Sequence, residues 1–138
     1  MLRQTILGVS LVCLLCVGCN NSNPLGRVPV SGEVSIGGQP LAAGSISFEP
    51  VDSGTMSGAV ITDGHYEIPE TKGLPPGKYL IRISAADESA PPEAMPGESN
   101  KVAKELIPAE YNRESDVTRE VVAGEENIFD FEIPAAGA

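Results

Sequence analysis

Past residue 19 the chain has no cysteine, and it has no tryptophan, one histidine and only nine Lys and Arg against 19 Asp and Glu. Each shortage removes a class of function. Without cysteines in the body of the chain there is neither a disulfide framework nor a soft ligand set for structural zinc. A net charge of −10 argues against nucleic acid as a partner, because such affinity rests on Lys and Arg displacing counterions. A single imidazole leaves little material for a histidine-based catalytic cluster, and three Tyr and three Phe leave few platforms for stacking a sugar. Long apolar runs are also missing. The main one, Thr5 to Val17, is about a dozen residues long, where a bilayer-spanning helix needs roughly 20.

What the amino terminus does have is order. Met1 to Gln4 carry the terminal amine and Arg3, the apolar run follows, and Gly18 is small, which is the n-region, h-region and cleavage-site sequence of an export signal. Within it "CLLCVGC" spaces Cys13, Cys16 and Cys19 three residues apart. The "LCVGC" portion resembles a bacterial lipoprotein signal: Val17 and Gly18 precede Cys19, and Cys16 stands where Leu is usual. That resemblance implies a lipoprotein signal peptide over 1–18, lipidation of Cys19 as the first mature residue, and a polar tether completing 19–27. Each buried methylene contributes ~0.8 kcal/mol, so an anchor of two or more acyl chains holds stably where one chain binds reversibly. The implied address is the bacterial cell envelope, lipid-anchored. The outer membrane is favoured over the inner, since Asn20 is not the Asp associated with inner-membrane retention in some bacteria. Cleavage by the ordinary signal peptidase is the alternative, although no Ala-x-Ala-like site lies nearby.

Gly and Pro together make 27 residues, 15 and 12, favouring short strands and turns over a helical bundle. Period-two alternation puts Val34 and Ile36 opposite Glu33 and Ser35, then Ile46 and Phe48 opposite Ser45, Ser47 and Glu49. Asp63-Gly64 between two alternating runs is the strongest hairpin signal, with Tyr66 and Ile68 inward and His65 and Glu67 outward. Pro75, Pro76 and Gly77 introduce a strand that turns Tyr79, Ile81 and Ile83 inward. Asp87 to Asp116 hold four prolines and eight acidic against three basic residues, without a clean period; they read as a long connection with one helical turn near Lys101 to Leu106. A strand, a Gly-Glu-Glu turn and a last strand carrying Phe129, Phe131 and Ile133 inward complete the chain. The expected fold is all-β: one antiparallel Greek-key β-sandwich of about seven strands over 28–134, with 135–138 as a tail.

"GEVSIGGQPLAAGSISFEP", "TDGHYEIP" and "GLPPGKYLIRI" together resemble the carboxypeptidase regulatory-like, transthyretin-related sandwich domains, and "ELIPAEYN" and "GEENIFDFEI" look like the form found in small bacterial surface lipoproteins. The resemblance implies an accessory, stalk or binding module. It does not extend to two known activities. The transthyretin-like hydrolases use several histidines and a Tyr-Arg-Gly-Ser ending, whereas this chain has one histidine and ends Ala-Ala-Gly-Ala. The self-stapling adhesin repeats need a Lys in their first strand, and here Lys72 is the first lysine of the chain.

Candidate chemistry is correspondingly sparse. His65 sits beside Asp63 in a hairpin and reads as a surface-turn residue; no catalytic residue, cofactor or metal ligand is expected, and the chain is not read as an enzyme. Asp52, Asp63, Glu110, Asp116 and Asp130 are the oxygen ligands that acidic loops could offer Ca²⁺, without EF-hand spacing. Leu106, Ile107 and Tyr111 either form a recognition loop or cover the open end of the core, the second being preferred. The expected role is a non-catalytic, monomeric envelope module held to the membrane by its lipid and contacting an envelope protein. The alternative is a carbohydrate- or small-ligand-binding surface module.

Overall fold

The computed structural model describes residues 23–88, 93–94 and 101–135. Residues 1–18, expected as a signal peptide, Cys19 and residues 136–138 lie outside them. The described residues are all-β, without an α-helix. The strands are β1 (Val30–Ile36), β2 (Gln39–Pro40), β3 (Ala43–Pro50), β4 (Ser57–Thr62), β5 (His65–Ile68), β6 (Gly77–Ser84), β7 (Glu93–Ala94), β8 (Lys101–Val102), β9 (Thr118–Val121), β10 (Asn127–Ile128) and β11 (Phe131–Ile133), with single 3-10 turns at Glu70–Lys72 and Ala109–Tyr111.

The alternation seen in the sequence becomes one buried face. Val30, Val34, Ile46, Phe48, Ile61, Tyr66, Ile68, Tyr79, Ile81, Ile83, Val121, Phe131 and Ile133 are all buried, while His65 and Glu67 are exposed. Full burial of one such side chain is worth about 1.5–3 kcal/mol, so register is fixed by this face: a one-residue slip of any strand would turn it to water. Asp63 and Gly64, with φ of 49° and 80°, form the tight β4–β5 turn that the Asp-Gly pair foretells.

Hydrogen bonding orders the main sheet β10-β1-β5-β4-β3-β6-β9, with β2 and β11 also pairing β1 and a separate β7–β8 pair. The sheet is antiparallel as expected except at one edge, where β10 and β11 run parallel to β1. The reason is directional. Strands alternate from β1 through to β9, and the turn at 122–126 reverses the chain once more, so β10 emerges running the same way as β1.

That turn also forces the sheet to curl. β9 and β10 are its two opposite edges, yet only five residues, 122–126, join them. Asn127 holds the join: its Oδ1 accepts the Val122 N–H at 2.8 Å, and its Nδ2 donates to the Val122 and Glu125 carbonyls at 3.0 and 3.1 Å. It is the one buried polar residue among those described, and its polar atoms are all partnered. Across the same seam the Arg119 guanidinium lies 4.8 Å from the centre of the Phe131 ring.

The last strand, expected to be continuous, breaks at Phe129 and Asp130. There the Phe129 carbonyl takes the Tyr66 hydroxyl at 2.7 Å, and the Asp130 carboxylate takes the Glu33 N–H at 2.9 Å in place of a ladder carbonyl. Gly32 makes this approach feasible, since a Cβ at that position would collide with the Phe129 carbonyl. Burial first, then the Asp130 carboxylate, raise the Tyr66 hydroxyl well above its ordinary pKa, with Arg119 opposing, so it serves as a permanent donor.

The helical turn expected at Lys101 to Leu106 is not formed. Lys101–Val102 is strand and Glu105 bridges Ala86, while the helical geometry falls at Ala109–Tyr111, just after Pro108. Residues 103–115 lie as a strap along β6. Ile107 is buried in the core, with Leu106 and Tyr111 packed against it. Four side chains fasten the strap. Arg82 donates to the Asn112 and Arg113 carbonyls while paired with Glu49 at 3.1 Å, Asn112 donates to the Ile83 carbonyl, Ser115 donates to the Ile81 carbonyl, and Glu105 accepts from the Ser84 hydroxyl and the Ala85 and Ile107 N–H groups.

Candidate functional site

The outward side chains of β1, β4, β5 and β10 form an open groove of about 870 Å³. Its position follows from the alternation that builds the core. Where Val30, Gly32 and Val34 point inward, Ser31 and Glu33 point out; where Tyr66 and Ile68 point in, His65 and Glu67 point out. The register then sets Ser31 opposite Glu67 and Glu33 near His65 on neighbouring strands.

The lining combines acid with aliphatic surface. Glu33, Glu67 and Asp130 contribute carboxylates, Ser31 and Thr62 hydroxyls, and Val60 and Ile128 exposed apolar flanks, at 72% and 56% exposure. A smaller recess of about 190 Å³ adjoins it, sharing Glu33, His65 and Asp130 and adding Asp63 and Glu132. No Lys or Arg lines either hollow. The surface therefore favours a cationic or donor-rich partner and repels an anionic one.

His65 is brought into this groove. Its Nδ1 lies 3.4 Å from a Glu33 carboxylate oxygen, with both side chains more than two-thirds exposed. Thr62, the register partner of His65 on β4, lines the same groove.

Of the acidic residues considered for Ca²⁺, Asp63 and Asp130 share the smaller recess, while Asp52 and Asp116 lie on other loops and Glu110 in the 3-10 turn Ala109–Tyr111. Among the described residues no three His, Cys, Asp or Glu side chains gather to hold a metal ion. The rings are likewise committed: Tyr66 and Tyr79 are buried, their hydroxyls given to the Phe129 and Pro75 carbonyls, and Tyr111 and Phe129 pack on the core.

Cys19 lies outside the described residues; the described chain is fastened from its first residue, Asn23. Asn23 accepts the Arg27 N–H and donates to the Arg27 carbonyl, both at 2.8 Å, and the Arg27 guanidinium donates to the Gly73 carbonyl. Residues 20–22 are all that separate Cys19 from this fastened turn.

Sequence reasoning located His65 and Glu67 outside the sheet but did not assemble the groove. Its wall depends on β10 lying beside β1, a pairing between residues about a hundred positions apart. The sequence signal that could have indicated it is the outward Ile128 next to an acid-rich alternation. No protein-family model, curated protein or solved structure matches the chain.

Proposed function

We propose that the protein is a non-catalytic, lipid-anchored component of the bacterial cell envelope whose domain acts, as a monomer, as a protein-interaction module. The curled sheet is read here as a Greek-key sandwich of the carboxypeptidase regulatory-like, transthyretin-related kind, carried on a lipidated Cys19. The observation that carries the interaction role is the groove of Ser31, Glu33, His65, Glu67, Val60 and Ile128, acidic along its floor and aliphatic at its flanks. Such a surface suits a protruding segment of an envelope protein that bears Lys or Arg beside small apolar residues. The alternative of carbohydrate binding finds less support, because the rings that stack sugars are buried or packed.

A photo-crosslinking residue at Glu67 in intact cells tests the role, with the same residue at Glu120 on β9 as the control. The reading expects one defined product from position 67, absent from position 120 and reduced at least tenfold by Glu33→Lys. An identical product from both positions, or persistence in the Glu33→Lys background, would count against the groove.

A further inference from the structure

Exposed aliphatic residues are ordinary on a protein surface when scattered singly. Val60 and Ile128 flank the groove, but the other four are not scattered. Leu25, Val51, Met56 and Val122 are 51%, 49%, 61% and 37% exposed, and the strand register gathers the loops that hold them at one end of the sheet. Pro50 pairs with Tyr79, Phe48 with Ser57, Gly77 with Val121, and Val28 bridges Leu74, so segments 23–29, 51–56, 69–76 and 122–126 emerge together. The same end receives the chain from Cys19.

We propose that this end of the domain is seated on the lipid bilayer, with Leu25, Val51, Met56 and Val122 entering its interfacial layer. The inference rests on the reading of Cys19 as the lipid anchor. Two observations select lipid as the occupant. First, the span from Cys19 to Asn23 reaches at most about 14 Å fully extended, and the fastening of Asn23 to Arg27 removes further slack. The end therefore cannot leave the neighbourhood of the membrane. Second, the four tips are aliphatic and carry no charge of their own, which suits shallow insertion into the interfacial layer. Around them Asp52, Glu70, Glu125 and Glu126 stand against Arg27, Lys72 and Lys78, so contact comes from apolar surface and not from attraction to anionic lipid. Seated in this way, the domain would stand with its strands across the membrane plane and its acidic groove facing sideways, open to neighbours in the envelope.

The test uses the acylated full mature chain in phosphatidylcholine vesicles containing lipids with nitroxide-labelled acyl chains. Apart from the acylated Cys19 the mature chain lacks cysteine, so Val51→Cys, Met56→Cys and, at the far end, Gln39→Cys each take one fluorophore. The expected result is at least threefold stronger quenching at positions 51 and 56 than at 39, unchanged by salt or by added phosphatidylglycerol, and reduced at position 51 by Met56→Asp. Equal quenching at all three positions, with mass spectrometry showing acylated Cys19 in the same sample, would overturn the seating while leaving the anchor intact. Quenching at 51 and 56 that appears in native membranes and not in pure lipid would overturn it in favour of a protein occupant. A mature chain recovered from the membrane fraction with no acyl groups on Cys19 would overturn the anchor reading, and the seating with it.

Discussion

The two ends of the sheet treat their apolar residues in opposite ways. At the far end the chain covers itself: the strap 103–115 buries Ile107, packs Leu106 and Tyr111 on the core, and is pinned by Arg82, Glu105, Asn112 and Ser115. At the entry end Leu74 is buried and Val28 packs on the core, but Leu25, Val51, Met56 and Val122 stay 37–61% exposed. One end has solved its hydrophobic problem within the chain, at the cost of ordering a long connection. The other leaves four aliphatic residues exposed, on the side where residues 23–29 lie. The contrast teaches that exposure alone says little; gathered at the end proposed to carry the anchor, it marks where the molecule would meet its neighbour.

The sharpest way to break the contrast is to shorten one side chain at each end. Ile107→Ala removes buried volume beneath the strap and should cost about 2–4 kcal/mol of stability, read from the midpoint of urea unfolding. Met56→Ala at the entry end should stay within about 0.5 kcal/mol of the parent. Comparable losses at both ends would show that the entry end is packed after all.

Next in size is the seam between the sheet edges. Asn127→Ala strips the part-buried Val122 N–H of its acceptor and removes the two bonds donated by Nδ2, and should cost about 1–2 kcal/mol. Asn127→Asp keeps that acceptor but turns a carboxylate toward the Val122 and Glu125 carbonyls, and should not restore stability. Rescue by Asp would mean that the two donated bonds do not hold the turn.

The smallest effect concerns acid and the strap. Burial pushes the Glu105 carboxyl upward, yet the Ser84 hydroxyl and the Ala85 and Ile107 N–H groups outweigh it and hold the pKa below 4.5; the neighbouring Leu106 N–H goes instead to the Ala85 carbonyl. A carboxyl lowered on folding stabilises at pH values above its unfolded pKa, and that contribution fades as pH falls through the folded pKa. The carboxylate is partly screened by solvent, so the loss should remain below about 1 kcal/mol. Stability measured from pH 6 to 3 should therefore fall more steeply in the parent than in Glu105→Gln, which has lost the ionised acceptor throughout. Parallel profiles would detach Glu105 from the strap's stability.

What the sequence made legible, and what it hid, divides along the reach of each interaction. Alternation placed Val34, Ile46, Phe48, Tyr66, Ile68, Tyr79, Ile81 and Ile83 inside, and Asp63-Gly64 at a hairpin, because a period of two and a turn's φ requirements are local properties. The parallel pairing of β10 and β11 with β1 was hidden, since nothing in a strand's own pattern names its partner. Asn127 looked like another polar turn residue, and only the meeting of the sheet's edges buries it. The strap was misread for a similar reason. Lys101 to Leu106 has acceptable helix formers, but Glu105 gains more from the β6 end of the sheet than from a lone helical turn. The groove was half visible: its β5 side chains were assigned to the outside correctly, while its β10 wall needed the tertiary pairing.

Everything said about the entry end depends on where the mature chain begins. The most direct measurement is mass spectrometry of the amino-terminal peptide released from the membrane fraction. The account predicts a peptide that starts at Cys19 and carries acyl chains on that residue. An unmodified peptide that starts beyond Cys19 would contradict it, and would leave an exported domain with no anchor to orient its two unlike ends.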